Sequence, residues 1–169
     1  MVEQWNAYTK DGKQTDIILI RDRVIPSGLY HMVCEVMVFH QDGSILCMKR
    51  DSRKKAYPGY YEASAGGSAL YQEDKWQCIQ RELYEETGIF CDSFELVHTT
   101  VLEEEQSLFY SFVCIVDFNK DSIRLQEGET VAYQWMTKKE FQTFLNTDAL
   151  VPTQKQRYSA YYQSIGLIV

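Results

Sequence analysis

The chain has 169 residues, 45% hydrophobic and 24% charged, with 9 Gly and 3 Pro; this excludes a disordered or fibrous chain and predicts one domain over residues 1–169 with a packed core. The formal net charge of −7 excludes a general nucleic-acid surface, because such surfaces rest on Lys and Arg neutralising phosphates. No stretch approaches the ~20 apolar residues that span a bilayer, and residues 1–10 lack a signal-peptide core, so no membrane partner and a cytoplasmic location are expected. The five cysteines (Cys34, Cys47, Cys78, Cys91, Cys114) are an odd set, mostly in apolar runs, and predict reduced structural thiols with neither disulfides nor zinc.

In chain order, residues 16–20 read as a short strand. A longer strand over 31–39 turns at Gln41, Asp42 and Gly43 into a second over 44–48, a hairpin pattern. A basic, turn-rich loop follows at 49–55, then Tyr57-Pro58-Gly59 and a short segment ending at Gly66 and Gly67. Helix signals begin at Glu73 and Asp74 and stop at Gly88, where a left-handed cap is natural. Residues 94–102, 108–116 and 131–135 are β-rich, and helical patterns return at 138–145 and 153–165. Hairpins mixed among helices predict an α/β (α+β) protein with a mixed β-sheet packed by helices, rather than a regular parallel array.

The helix at 74–87 is the informative segment. At about 100° per residue, Glu82, Glu85 and Glu86 share an arc of roughly 100°, beside an apolar stripe of Trp76, Ile79 and Leu83. Like charges at this spacing cost about 0.2–0.5 kcal/mol per pair, and carboxylates in a last turn oppose the helix dipole. An acidic face steadied by Arg81 and Lys75 is the ordinary reading of such a run. A cationic occupant is the other: clustered hard oxygens suit Mg2+ or Mn2+, which bridge to substrate phosphates.

The surrounding spacing decides between them. Gly67, Glu73, Arg81, Glu82, Leu83, Glu85, Glu86, Gly88 and Ile89 fill every position of a pattern over residues 67–89, and average residue frequencies make coincidence a matter of about one in ten million. The chain resembles the Nudix family through this Nudix box. The resemblance implies a single Nudix domain, an α/β/α sandwich with a mixed sheet. It also implies a Mg2+- or Mn2+-dependent hydrolase cleaving the diphosphate linkage of a small molecule, usually a nucleoside diphosphate derivative. By resemblance, Glu82, Glu85 and Glu86 hold metal, and Glu82 and Glu85 belong to the catalytic set together with an acid from another loop. Glu129 ranks first for that acid, ahead of Glu103, Glu104 and Glu105. Chemically, a metal clamp neutralises charge developing on phosphoryl oxygens while a carboxylate removes a proton from water. Arg81 is expected to orient the glutamates by bidentate bonding, with Glu73 and Gly88 structural. Gly66 and Gly67 allow close backbone approach, and Arg50 and Lys55 of the basic loop are expected to bind substrate phosphate.

Upstream, His31, the Asp42-Gly43 turn, Lys49-Arg50 and Lys55 before Tyr57-Pro58-Gly59-Tyr60 make the chain similar to the branch related to isopentenyl-diphosphate isomerase, so that isomerase is the alternative enzyme. The isomerase Cys and His that flank the first box glycine are here Gly66 and Ser68, which favours hydrolysis. Cys78 is expected in the core and His31 in a structural role. A catalytically silent nucleotide-binding module is the third alternative. Tyr57, Tyr60 and Tyr61 lie near the expected site, whereas Tyr158, Tyr161 and Tyr162 have packing spacing. Neither the substrate nor the oligomeric state is specified, and a homodimer is left open.

Overall fold

The computed structural model describes residues 2–168. Its first two strands, β1 (Gln4–Tyr8) and β2 (Gln14–Ile20), form a separate antiparallel ribbon. Strand β1 carries no period-2 pattern because four consecutive residues, Trp5 to Tyr8, are buried, and it is absent from the sequence-based expectation for that reason.

The main sheet is built on β3 (His31–His40), whose continuous Val and Met run suits a strand covered on both faces. It pairs in parallel with β8 (Ser107–Val116) along its whole length, and β8 pairs antiparallel with β7 (Glu95–Leu102). The expected hairpin partner, β4 (Ile45–Arg50), touches β3 in register only at Phe39 and Ile45 before diverging to pair with β9 (Thr130–Met136). Two short strands fill the split: β5 (Tyr61–Glu62) against β4, and β6 (Ala65–Ser68) against β3. The turn at Gly43 is therefore as expected, but the hairpin opens at once. The opening exists because the β5–β6 segment must enter the sheet between its arms.

Helix α1 (Lys75–Thr87) covers one face. Asp74 caps its start through Trp76 N–H and Gln77 N–H in a capping box with Gln77, and Gly88 ends it at φ 75°. Cys78, Ile79 and Leu83 pack from α1 onto Cys34, Val36 and Val38 of β3. Trp76 departs from the expected stripe: it is 45% exposed, although its ring lies against Phe112. The opposite face carries α2 (Lys138–Phe144), α3 (Pro152–Arg157) and α4 (Ser159–Ser164), with Phe141, Tyr158 and Tyr162 over Met37 and Val113. The single terminal helix expected over 153–165 is broken at Tyr158, which sits between α3 and α4 with its hydroxyl donating to Phe112 O at 2.7 Å. The architecture is an α/β/α sandwich with a mixed sheet. Among the described residues, no helix is long and apolar enough to cross a membrane, and all five cysteines are free and buried.

Three tertiary anchors surround the future site. His31 stacks on Trp5, with ring centroids 4.4 Å apart, and meets Gln106 O at 3.2 Å; burial lowers its pKa, so it stays neutral as a structural residue. Cys78 packs inward against Gly67 O at 3.7 Å, and its contact with Cys34, then burial, push its thiol pKa up. Glu35 of β3 forms a bidentate pair with Arg157 of α3, both contacts 2.7 Å, and accepts from Ser111 Oγ at 2.6 Å. Both partners of that pair are buried, so removing one strands a desolvated charge at a cost of about 3–5 kcal/mol. We expect Glu35→Leu to lower stability by that amount in urea unfolding at constant m-value, and Glu35→Leu with Arg157→Met to recover most of it.

Candidate active site

The split in the sheet places β6 against the last turns of α1. Gly66 is opposite Glu35 and Gly67 opposite Cys34 in the β3–β6 ladder. A Cβ on Gly66 would lie 2.5 Å from Cys34 O and 2.9 Å from Glu35 Cα, so this glycine is demanded by backbone pairing. A Cβ on Gly67 would lie 2.4 Å from Glu82 Oε1; this glycine makes room for a carboxylate. The same spacing in sequence thus serves two purposes, strand contact and site contact.

Arg81 is the organiser. Its Nε and Nη2 donate to the two oxygens of Glu73 at 2.7 and 2.8 Å, its Nη1 donates to Glu82 Oε1 at 2.7 Å and Glu85 Oε2 at 3.1 Å, and Nη2 also reaches Ser68 O at 3.1 Å. Burial would lower its pKa, but bonding to Glu73 and the charge of Glu82 outweigh burial and raise it. Glu73 in turn accepts from Leu70 N–H at 2.9 Å, which ties the loop before α1 to the guanidinium. Arg81 thus bonds Glu73, Glu82 and Glu85 together, and Gly88 ends the helix.

Glu86 faces inward, only 3% exposed, and its Oε2 accepts from Gly66 N–H at 3.0 Å. Burial and then the charges of Glu62 and Glu82 raise its pKa well above that of an ordinary carboxylate. Glu82 is raised chiefly by burial, with Arg81 opposing. Glu62 of β5 is also raised, first by burial, while Arg50 opposes through an Nη1 contact of 2.8 Å. Glu129, just before β9, is paired with Lys54. Glu82, Glu86, Glu129, Arg50 and Lys54 line a polar cavity of about 320 Å3 together with Gly66, Gly67 and Arg81.

Of the basic-loop candidates, Arg50 and Lys54 line this cavity, whereas Lys55 points away and pairs with exposed Asp22 at 3.1 Å. Lys55 is therefore not brought to the site; its neighbour is, because the turn after β4 sends alternate side chains to opposite sides. Lys75, which the ordinary acidic-face reading would have steady the glutamates, lies over Trp76 and Tyr110. Glu103 is held by Lys10 and Tyr30 and does not line the cavity, whereas Glu129 does, together with Glu3, which pairs with Arg21 at 2.7 Å. Glu62 escaped the sequence reading. A lone Glu in a two-residue strand has no periodic signal, and only the β4–β5 pairing puts it beside Glu86.

Among the described residues, no three carboxylate, histidine or cysteine side chains converge as a finished metal cage. The donor set nevertheless fits a hard divalent cation. Glu86 is buried, poorly solvated and beside two other carboxylates, and Glu82 and Glu85 are held by an arginine that leaves them oxygen-rich. Such a cluster carries more negative charge than Arg81 offsets, and a dication restores the balance.

The chain has relatives of known family. The NUDIX domain profile matches residues 29–160. The uncharacterized Nudix hydrolase lmo0368 of Listeria monocytogenes is 30% identical over 152 residues, 89% of each chain. Among solved structures, DR0079 from Deinococcus radiodurans superposes with a TM-score of 0.73 at 15% identity, over 94% of this chain and 99% of that one. The NUDIX domain of Shewanella oneidensis NrtR, solved with ADP ribose, gives 0.60 at 13% identity, over 80% and 88%.

Two expectations follow from the geometry. Gly66→Ala must displace backbone and should cost about 1–3 kcal/mol of stability, whereas Gly67→Ala can be relieved by swinging Glu82 aside and should cost less stability while disturbing the carboxylate cluster; paired denaturation curves distinguish them. In metal-free protein, Glu86→Gln should raise stability at neutral pH by about 1–3 kcal/mol, since the amide keeps an acceptor for Gly66 N–H and loses the buried charge. Because the folded pKa of Glu86 is raised, the penalty exists above that pKa and fades as pH falls through it, so the two proteins should converge in acid.

Proposed function

The chain belongs to the Nudix family of hydrolases that act on diphosphate bonds, and from that premise we propose that it cleaves the diphosphate linkage of a nucleoside diphosphate derivative with the help of Mg2+ or Mn2+. The single observation that carries the reading is the mutually repelling pair Glu82 and Glu86 beside Arg50 and Lys54, an arrangement with anionic oxygens for cations and cations for phosphate in one cavity. The same fold in the Shewanella domain accommodates ADP ribose, a ligand of this class.

Glu82, Glu85 and Glu86 would hold the metal, which when bound supplies Lewis-acid stabilisation of phosphoryl charge and a more acidic water. Arg81 keeps Glu82 and Glu85 aligned along the last turns of α1 and limits the reorientation needed when a ligand arrives. Arg50 and Lys54 face the cavity as donors for phosphate oxygens; each is now engaged by a carboxylate, Glu62 and Glu129 respectively. A phosphate competing for Lys54 loosens its hold on Glu129, which makes Glu129 a proton acceptor for attacking water. Glu62, paired with Arg50, adds negative charge near Glu86 from outside the cavity lining.

Purified protein with Mg2+ or Mn2+ is expected to release phosphorylated products from members of a nucleoside diphosphate panel, with chelator abolishing turnover. Glu85→Gln and Glu86→Gln should each lower kcat at least about a hundredfold, and Glu129→Gln by about 10²–10⁴-fold. Full turnover in both box variants would overturn the assignment.

A further inference from the structure

The catalytic cavity has a wall that neither the box nor the basic loop supplies. Arg21, just past the end of β2, and Glu3, just before β1, line it together with Lys54 and Glu129. Both precede residues 29–160, the stretch that matches the NUDIX profile, so this wall belongs to the N-terminal ribbon and not to the common machinery of the family. The ribbon is fixed where it stands. Trp5 stacks on His31 of β3, Tyr71 N–H ties Gln4 O to the loop before α1 at 2.8 Å, and Arg21 N–H donates to Glu3 O at 3.0 Å.

The arginines of the cavity differ in the donors they have left. Arg81 directs its nitrogens to Glu73, Glu82, Glu85 and Ser68 O. Arg50 directs Nε and Nη2 to Ala56 O and Nη1 to Glu62. Among the described residues, the side chain of Arg21 makes one hydrogen bond, from Nη1 to Glu3 Oε2 at 2.7 Å, and its Nε–Nη2 edge is open. That edge is the fork with which Arg81 holds Glu73 and Arg157 holds Glu35, and it matches two oxygens of a phosphate equally well. Glu3 is anchored independently, because its Oε1 accepts from Trp5 Nε1 at 2.7 Å. The Arg21 side chain is 54% exposed, and a pair that open to water is weak. A ligand carrying several negative charges therefore competes well against one carboxylate.

We infer that Arg21 is a substrate-binding residue contributed by the ribbon, which takes a phosphoryl group in its open Nε–Nη2 edge, with Glu3 as the competitor that this ligand displaces. The inference rests on the hydrolase reading for the identity of the ligand as a diphosphate. It adds a binding arginine from outside the matched domain and makes the ribbon part of the catalytic cavity.

The test is calorimetric titration of the full chain, at saturating Mg2+, with methylenediphosphonate, whose P–C–P bridge cannot be hydrolysed. Arg21→Gln should weaken binding at least about tenfold, and Arg21→Lys, which keeps the charge without the fork, should fall between the two. Glu3→Gln should tighten binding at least about threefold, because the amide oxygen still serves Trp5 Nε1 while the amide NH2 cannot accept from Arg21. That gain should vanish when Arg21→Gln is also present. Substitutions that merely loosened the ribbon would weaken binding in both single variants, so tightening in Glu3→Gln excludes a purely structural role. Absence of binding by the wild type, unchanged affinity in Arg21→Gln, or equal tightening by Glu3→Gln with and without Arg21 overturns the assignment. Turnover of the nucleoside diphosphate panel reports on the hydrolase reading separately: turnover with unchanged affinity in Arg21→Gln overturns only the role of Arg21, and Arg21-dependent binding with no turnover overturns only the hydrolase reading.

Discussion

Everything at this site depends on concentrating carboxylates where water is scarce. Glu86 is almost fully buried beside Glu62 and Glu82, and separating any such charge from solvent is costly unless it is compensated. The protein compensates partially. Arg81 satisfies Glu73, Glu82 and Glu85 with one guanidinium, and a backbone N–H from Gly66 meets Glu86. The remaining imbalance is what the proposed cation would offset. Stability is given up locally so that binding can restore it.

The rest of the fold is arranged to make that crowding possible. The early divergence of β4 from β3 opens the sheet, β5 and β6 enter the gap, and two glycines bring β6 within reach of α1. The capping box at Asp74 and the left-handed Gly88 fix the register of α1. Because Glu82, Glu85 and Glu86 occupy its last two turns, a one-residue slip would rotate them about 100° away from β6. On the other face, the Glu35–Arg157 pair clamps α3 to β3 and β8. That clamp also lines the cavity that adjoins Gly66.

Cations around the cavity are held in reserve. Arg50, Lys54 and Arg21 are each matched with an acid, Glu62, Glu129 and Glu3. These pairs keep an overall acidic protein from presenting a fixed positive patch, and Arg50, Lys54 and Arg21 all line the cavity. In the proposed function, selectivity for an anionic ligand would arise from exchange at these residues and not from net charge.

Local patterns in the chain were sufficient for much of this. The box spacing placed Glu82, Glu85 and Glu86 on one helix face, Gly88 at its end and Arg81 among them, because helical geometry converts spacing directly into direction. The long buried strand at β3, the turn at Gly43 and the helix at α2 were legible for the same reason. Other features depended on pairing between distant segments. Strand β1 is short and buried without alternation; Glu62 comes beside Arg50 through the β4–β5 pairing, and Lys54 reaches the cavity through the turn that follows β4. Lys55 is sent the other way by that same turn, the terminal helix breaks at Tyr158 to let its hydroxyl reach Phe112 O, and the Arg157–Phe109 contact joins residues 48 positions apart. Spacing along one helix is a local property and can be read from a sequence, whereas which side of a loop faces a cavity is settled only when non-local strands close on one another.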